Sequence, residues 1–493
     1  YTETEYSDKL VSNPNEMLPA FVRQTTTLEA NKFAQSYSYF DGRGAGIRSA
    51  VQTPDGWSIS ATEYDHLGRA RKSFNPFYGP IPVEAVPSGT KYTEVTAIDA
   101  LGRTTEVKLQ DLTTVSTAYS NVTTTPANFP YTFVTVTDQA GKQRRQLADA
   151  LGRIVRVDEP DVNGNLGAVD ASLPSQQTFY EYDGNDNLVK VIQSDGTVTQ
   201  ERKFKYDSLS RLTHERQVEA NPTLDIEGIK GAPDPNKWTK VLKYDSDGLL
   251  EWGVDARGVK TEFDYDGLNR VISITYTGET GYQTPNVTYT YDQARSGFYN
   301  TGALTRVETL DPSGVTTPTA TEFDYDLMGR VVKHRQYIAN QEFGLEYGYN
   351  LAGQLTSQKY PSGRIVTNSY DANGRLSGVA DGSRSYVTGL DYQGNGGSVS
   401  QISFGNGTTQ NFTLNDRFQM TQQELRKGSD VLQKYAYGYG QIDGSGNLDT
   451  TKNNGQLAQV ESWIGSAKQW TQKFKNDHIG RLKETEERRG DTN

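Results

Sequence analysis

The chain has 493 residues, with 50 Lys and Arg against 61 Asp and Glu for a formal charge of −11, and it contains no cysteine. A pI near 5.1 lacks the basic field that sequence-independent nucleic-acid binding needs, and the missing Cys removes disulfides, thiol catalysis and thiolate zinc sites. Apolar residues are only 34% of the chain beside 48 Gly and 30 Tyr, a profile of extended, turn-rich sheet with a thin core in which Tyr supplies an apolar body and a wet tip.

Residues 1–35 read as a leading segment or edge cap, and residues 36–493 as one repeat body. The body is organised by one phrase, Tyr-Asp-x-x-Gly-Arg followed by an aliphatic residue. It first appears as Tyr64-Asp65-His66-Leu67-Gly68-Arg69, then with looser openings at Asp99 to Arg103 and Asp149 to Arg153. Tyr206-Asp207 with Arg211, Tyr265-Asp266 with Arg270, Tyr325-Asp326 with Gly329-Arg330 and Tyr370-Asp371 with Gly374-Arg375 follow, and a worn copy ends at Gly480-Arg481. Leu249 to Arg270 and Gln354 to Arg375 each span 21 residues, and Arg330 to Gln354 spans 24. A period of this length marks a stacked or spiralling repeat.

A second glycine lies seven residues before the phrase at Gly258, Gly363 and Gly407, so glycine, short run, turn phrase and short run spell a hairpin. In each turn the Asp is expected to bond the backbone two residues on, while the Gly takes the positive φ of a tight loop. Leu67, Leu101, Leu151 and Leu268 sit late in these turns, which predicts that the turns pack against neighbouring units. A lone hairpin is marginal in water, so each must share its faces with the next. The chain is therefore read as all-β, a long spiral of β-hairpins; Gln422–Lys427 and Glu484–Glu487 have helical composition, but the first also fits a strand end.

Candidate chemistry is sparse. The four His (His66, His214, His334, His478) are dispersed, and no nucleophile elbow, phosphate loop or His-Glu-x-x-His motif occurs. Asp161-x-Asn163-x-Asn165, Asp183-x-Asn185-x-Asn187 and Asp443-x-Ser445-x-Asn447 have calcium-like spacing, but their twelfth positions are Ser172, Ser194 and Asn454 rather than Glu, so Asx-rich turns explain them and no metal or cofactor is assigned. The recurring Arg is expected to pair locally with the Asp or to stack on a neighbouring Tyr. Trp57, Trp238, Trp252, Trp463 and Trp470 are packing residues or, in a surface adhesin, carbohydrate platforms. Pro76–Pro87, Glu219–Pro235 and Gly394–Gly397 read as loops, Arg489-Gly490-Asp491 as a chance tripeptide, and no apolar run is long enough to span a bilayer. The first residue is Tyr1, so the chain reads as a fragment or processed piece.

From Tyr39-Phe40-Asp41-Gly42 to Arg481, these phrases resemble the YD repeats of the Rhs and teneurin families. The resemblance implies a hairpin sheet spiralling into a hollow shell; in bacterial Rhs proteins and Tc-toxin B and C components such a shell encloses a toxic polypeptide, and in teneurins it belongs to an adhesion ectodomain. It implies a structural role for Tyr64, Asp65, Gly68, Arg69, Tyr265, Asp266, Arg270, Tyr325, Asp326, Gly329, Arg330, Tyr370, Asp371, Gly374 and Arg375. The family's self-cleaving Asp-Pro-x-Gly-Leu segment is approached only by Asp311-Pro312-Ser313-Gly314-Val315, read as an ordinary turn. The expectation is a non-enzymatic wall of a capsule, secreted or at a bacterial cell surface, with an enclosed effector or further shell segments as partners. The alternative is an extracellular adhesin that binds a surface glycan.

Overall fold

A computed structural model describes residues 2–490 apart from 8–19, 30–31, 82–84, 123–130, 168–175, 195–197, 219–237, 280, 282, 311–318, 340 and 394–396. The proposed insertion at 219–235, the Asp311–Val315 string, most of the 394–397 turn and Asp491 of the tripeptide lie outside the described residues.

Among the described residues the architecture is one antiparallel sheet of thirty-six strands, each paired with the next strand of the sheet, from Thr2–Ser7 to Leu482–Arg489. Among the described residues there is no α-helix; a single 3-10 turn spans Thr450–Lys452, and a two-stranded ribbon, Gln441–Ile442 with Leu448–Asp449, is set in the loop before it. Gln422–Lys427 and Glu484–Glu487 lie in the strands Met420–Lys427 and Leu482–Arg489. Alternating β-branched and aromatic residues in runs such as Val271–Thr277 give two usable faces, and the ladder partners come from the strand's own hairpin on one side and the next hairpin on the other.

Because successive strands are antiparallel, the ribbon has two edges of turns. One edge carries the Tyr-Asp phrases, here the tyrosine edge; the other, the far edge, carries the upstream glycines Gly258, Gly363 and Gly407, all at positive φ. The ladder slips by one residue just before the phrase turn, for instance between Asp264 and Tyr265, so Tyr265 pairs with Val271. That extra residue is the bulge that accompanies a three-residue loop with its last member in the left-handed region.

Burial is thin, as a single sheet demands. The one described cluster of buried apolar residues, Tyr39, Ala50, Ile59, Ala61 and Phe77, lies near the start, with Phe21, Tyr37 and Trp57 against it. Elsewhere most strand residues are half-buried, so the ladder and the turns carry much of the cohesion.

The ribbon coils back on itself. Asn75 donates to the carbonyl of Asp416, Lys142 to that of Asp477 and Asn453 to Asp111, across 341, 335 and 342 residues, so one gyre takes about 340 residues. The far edge of the first gyre meets the tyrosine edge of the second along this seam.

Candidate functional site: the turn ladder and the seam

The turn phrase builds one constellation over and over. In the turn after Tyr64, Asp65 Oδ1 accepts the backbone N–H of Leu67 and of Arg69, each at 3.0 Å, and Oδ2 accepts Arg69 Nε at 2.7 Å. The Gly68 amide closes the turn on Asp65 O at 2.9 Å with φ +81°. Arg103 with Asp99, Arg153 with Asp149, Arg211 with Asp207, Arg270 with Asp266 and Arg330 with Asp326 repeat the carboxylate–guanidinium bond at 2.7 Å, and Arg375 with Asp371 and Arg481 with Asp477 do so at 2.8 Å. Hydrogen bonds from Arg69, side chain first and backbone second, hold the Asp65 carboxyl down at about 2. At Asp99, Asp207 and Asp266 the backbone N–H of the turn arginine is the leading cause of the same lowering.

The acid and base change together in two turns, and elsewhere the Asp stays while the Arg is replaced. Asn350 with Gln354 and Asn415 with Gln419 form the neutral version, Nδ2 donating to Oε1 at 2.8 Å, and Asn187 Nδ2 donates to Asp183 Oδ2 at 2.9 Å. The calcium-like strings are the same turns: Asp161, Asp183 and Asp443 spend Oδ1 on the amides of residues 163 and 165, 185 and 187, and 445 and 447. The glycine is replaceable too, since Asn269, Ser210 and Phe418 take its place at φ of 61°, 60° and 59°.

Two further contacts tie each turn to its neighbours. The Tyr265 hydroxyl donates to Leu250 O at 2.9 Å, Tyr325 to Leu304 O at 2.8 Å, Tyr349 to Val331 O at 2.8 Å and Tyr370 to Leu355 O at 2.8 Å. The acceptor is the residue that follows the preceding phrase, the aliphatic position of the repeat. Tyr182, Tyr244, Tyr291 and Tyr392 do the same, and Tyr64 reaches the carbonyl of Gly46 at the corresponding position. The tyrosine tip, expected to be wet, is thus spent on the backbone of the hairpin before it. From the other side, the guanidiniums of Arg103, Arg211, Arg270, Arg330 and Arg375 lie over the rings of Tyr119, Tyr244, Tyr291, Tyr349 and Tyr392 at 4.1 to 4.8 Å. Pairing to the Asp and stacking on the Tyr occur in the same arginine, so the three residues form a continuous ladder.

The leucines depart from expectation. Leu67, Leu101, Leu151 and Leu268 are 64%, 78%, 73% and 73% exposed. Their amides at 67, 101, 151 and 268 are turned to the Asp carboxylate, which leaves the side chains at the tips of the turns, and the second gyre lies against the opposite edge of the first.

The seam is polar. Lys91 Nζ lies 3.0 Å from Asp416 Oδ2, Arg417 Nη1 3.3 Å from Asp111 Oδ2, and Asn454 Nδ2 donates to Asp138 Oδ2 at 2.8 Å. Asn453 bridges Asp111 and Gln419, while Lys142 reaches Gln456 and the Asp477 carbonyl; burial lowers the Lys142 pKa against the pull of Asp138 and Asp477. Glycines make the approach possible: a Cβ on Gly164 would meet His478 Nδ1 at 2.7 Å, and one on Gly374 would meet Leu28 at 3.2 Å.

Two buried ion clusters escaped the sequence reading. Asp158, with no exposed surface, holds Arg145 at 2.7 Å and Arg156 at 2.6 Å. Asp324, equally buried, lies 2.7 Å from Arg295 and 2.8 Å from Arg335, and Glu322 joins Arg306 and Arg335 at 2.7 and 2.9 Å. Burial raises the Asp324 and Glu322 pKa values, but bonds from these arginines more than offset it, so both stay ionised as anchors. Acids on adjacent odd or even strand positions, facing Arg across the pair, were the available signal. The His residues remain apart: His214 packs on Trp238 and His334 on Phe323, while His66 and His478 sit in turns. The tryptophans are equally dispersed, with Trp57 against Tyr37 and Trp463 beneath Lys434. No group of three metal-binding side chains occurs among the described residues, and none of the described helices is long and apolar enough to cross a membrane.

The RHS Repeat family model matches residues 244–280 and 349–386. Comparison with curated proteins returns no match. Among solved structures, the chain is similar to the crystal structure of TcdB2-TccC3 with a TM-score of 0.74 at 15% identity, covering 98% of this chain and 25% of that one. The TcdB2-TccC3-Cdc42 structure gives 0.71 at 15% identity over 97% and 25%, and the Photorhabdus luminescens Tc holotoxin pore 0.69 at 15% over 97% and 26%. The chain spans about a quarter of the length of these solved chains. The chain thus carries RHS repeats over the two matched stretches and shares with these structures a fold built as a spiral of β-hairpins.

Proposed function

We propose that the chain is part of the wall of a capsule that encloses an effector polypeptide, and that it performs no chemistry of its own. The observation that carries this reading is the closure of the ribbon on itself: the second gyre is hydrogen-bonded to the first, turn edge against turn edge, so the sheet makes a continuous wall. The likeness to TcdB2-TccC3 and to a Tc holotoxin supports a secreted bacterial setting and a toxin as the enclosed polypeptide. The ionisable clusters support the second half, since their acids are held by arginines and none stands free to act as a general acid.

The test is limited proteolysis of the whole polypeptide produced from its native gene, with fragments identified by mass spectrometry. Segments encoded beyond residue 493 should resist protease while the repeat body is intact and become sensitive once the body is unfolded. Equal digestion in both states contradicts the container and favours an adhesin. Purified repeat protein should also leave peptides and glycans uncleaved.

A further inference from the structure

Lys91 and Arg417 each cross the seam to a carboxylate, Asp416 and Asp111. Lys142 does not. Its ammonium crosses to neutral acceptors, Gln456 Oε1 at 3.0 Å and the Asp477 carbonyl at 2.8 Å, which take two of its three protons. The nearby carboxylates are spent elsewhere: Asp138 on the amides of Ala140 and Lys142 and on Asn454 Nδ2, and Asp477 on the amides of Ile479 and Arg481 and on the Arg481 guanidinium. Burial lowers the Lys142 pKa in spite of both, so part of the cost of burying this charge is unmet.

Beside Lys142 lies a cavity of about 220 Å³ walled by both gyres. The second gyre brings Lys475 and Lys483 to it, and Glu484 is its one carboxylate. Lys475 and Glu484 stand opposite each other in the ladder and are paired at 3.1 Å. Lys483 is the extra residue of the bulge at the last phrase turn, and it has no hydrogen bond or ion pair among the described residues. Gln441 and Asn476 line the same cavity, and their side-chain amides likewise have no partner among the described residues. Three ammoniums thus wall one cavity in a chain of net charge −11.

We propose that this cavity binds a small tetrahedral oxyanion of the phosphate class, held by Lys142 from the first gyre and by Lys475 and Lys483 from the second. A cavity of this size holds such an ion with a few waters, and the compact charge and rotatable donors of Lys suit it. The anion supplies the counter-charge that Lys142 lacks. Because the site is complete only when the gyres touch, its occupancy stabilises the closed seam by linkage. The inference rests on the seam and not on the capsule reading, and either can fail alone.

Amide exchange read by mass spectrometry tests it, with inorganic phosphate added at an ionic strength held constant by sodium chloride and its Kd fixed by titration calorimetry. Exchange at residues 138–142, 453–456 and 477–481 should slow by about tenfold once phosphate reaches about ten times its Kd, while strands away from the seam stay unchanged. Sulfate should act in the same way. Chloride, which only screens exposed pairs such as Lys91 with Asp416, should not. Lys483→Gln removes an ammonium that holds no other residue in place, and it should weaken phosphate binding about tenfold, the loss of one charged contact. Protection that appears equally in chloride, that spreads evenly over all hairpins as a salting-out anion would produce, or that survives Lys483→Gln unaltered overturns the proposal. So does a wild-type chain that neither phosphate nor sulfate protects.

Discussion

The guanidinium of Arg270 lies over the ring of Tyr291, 4.2 Å from its centroid, while its Nε is held 2.7 Å from Asp266 Oδ2. One side chain thereby ties its own turn to the next hairpin, and the Tyr291 hydroxyl returns the tie by donating to Val271 O. The repeat phrase is the covalent record of that exchange. It also explains why the phrase tolerates unequal spacing: the tyrosine-to-carbonyl bond spans 15 residues from Tyr265 and 32 from Tyr244, because far-edge loops differ in length while the tyrosine edge keeps one geometry.

Removing a single tie should be felt locally. Tyr325→Phe keeps the ring and loses the 2.8 Å bond to Leu304 O, which should lower stability by about 1 kcal/mol in denaturant unfolding. Amide exchange should rise in the strands Leu304–Leu310 and Thr319–Tyr325 before distant repeats respond. Uniform exchange across all hairpins would show that the ladder is not the unit of cohesion.

Glycines of the tyrosine edge inside and outside the seam should differ in their reach. Gly329 sits at φ +74° with open space where a Cβ would go, so Gly329→Val should cost about 1–3 kcal/mol through backbone strain alone. Gly374 has φ +82° and also faces Leu28 across the seam at 3.2 Å. Gly374→Val should therefore speed exchange near residue 28 as well as in its own hairpin, which Gly329→Val should not. Both variants should disturb flanking repeats, because hairpins share their stability.

Acid should loosen the turns together. The folded pKa values of Asp65, Asp99, Asp207 and Asp266 lie below the unfolded value near 3.9, so the stability they contribute is fully present above that pH and is lost as pH falls toward about 2. Unfolding midpoints measured between pH 6 and 2 should stay level and then drop in this acid window. Asp266→Asn, which keeps an acceptor for the backbone amides and discards the charge, should weaken the acid response of its own hairpin. A drop beginning near neutral pH would point to histidine and away from these carboxylates.

At the seam, Arg417 loses contact with Asp111 and the Asn453 carbonyl when truncated. Arg417→Ala should cost about 1–3 kcal/mol and raise exchange of the amides at residues 109–113 and 415–419 by roughly tenfold or more, with intrahairpin strands unchanged. The exposed Lys91–Asp416 pair should contribute little and vanish in high salt.

The sequence was legible where the structure is local. Asp65 and Gly68 announce a turn because both act within five residues, and the pairing of Arg69 follows from its fixed offset. The targets of the tyrosine hydroxyls were hidden by variable far-edge loops, and the seam by separations near 340 residues that no local pattern encodes. Asn269, Ser210 and Phe418 adopt the left-handed conformation without glycine because the ladder fixes the turn around them, a tertiary effect that overrides intrinsic preference. Leu67 and its equivalents were expected to be packed because apolar residues in turns are usually covered; their exposure became visible only once the edge they occupy was placed.

Electron cryomicroscopy of the whole polypeptide from the native gene tests the container most directly. The account predicts a map in which residues 20–490 coil around additional density that fills their concave side and belongs to a segment outside these residues. A map with an empty concave side, and that segment resolved outside the spiral, would contradict it.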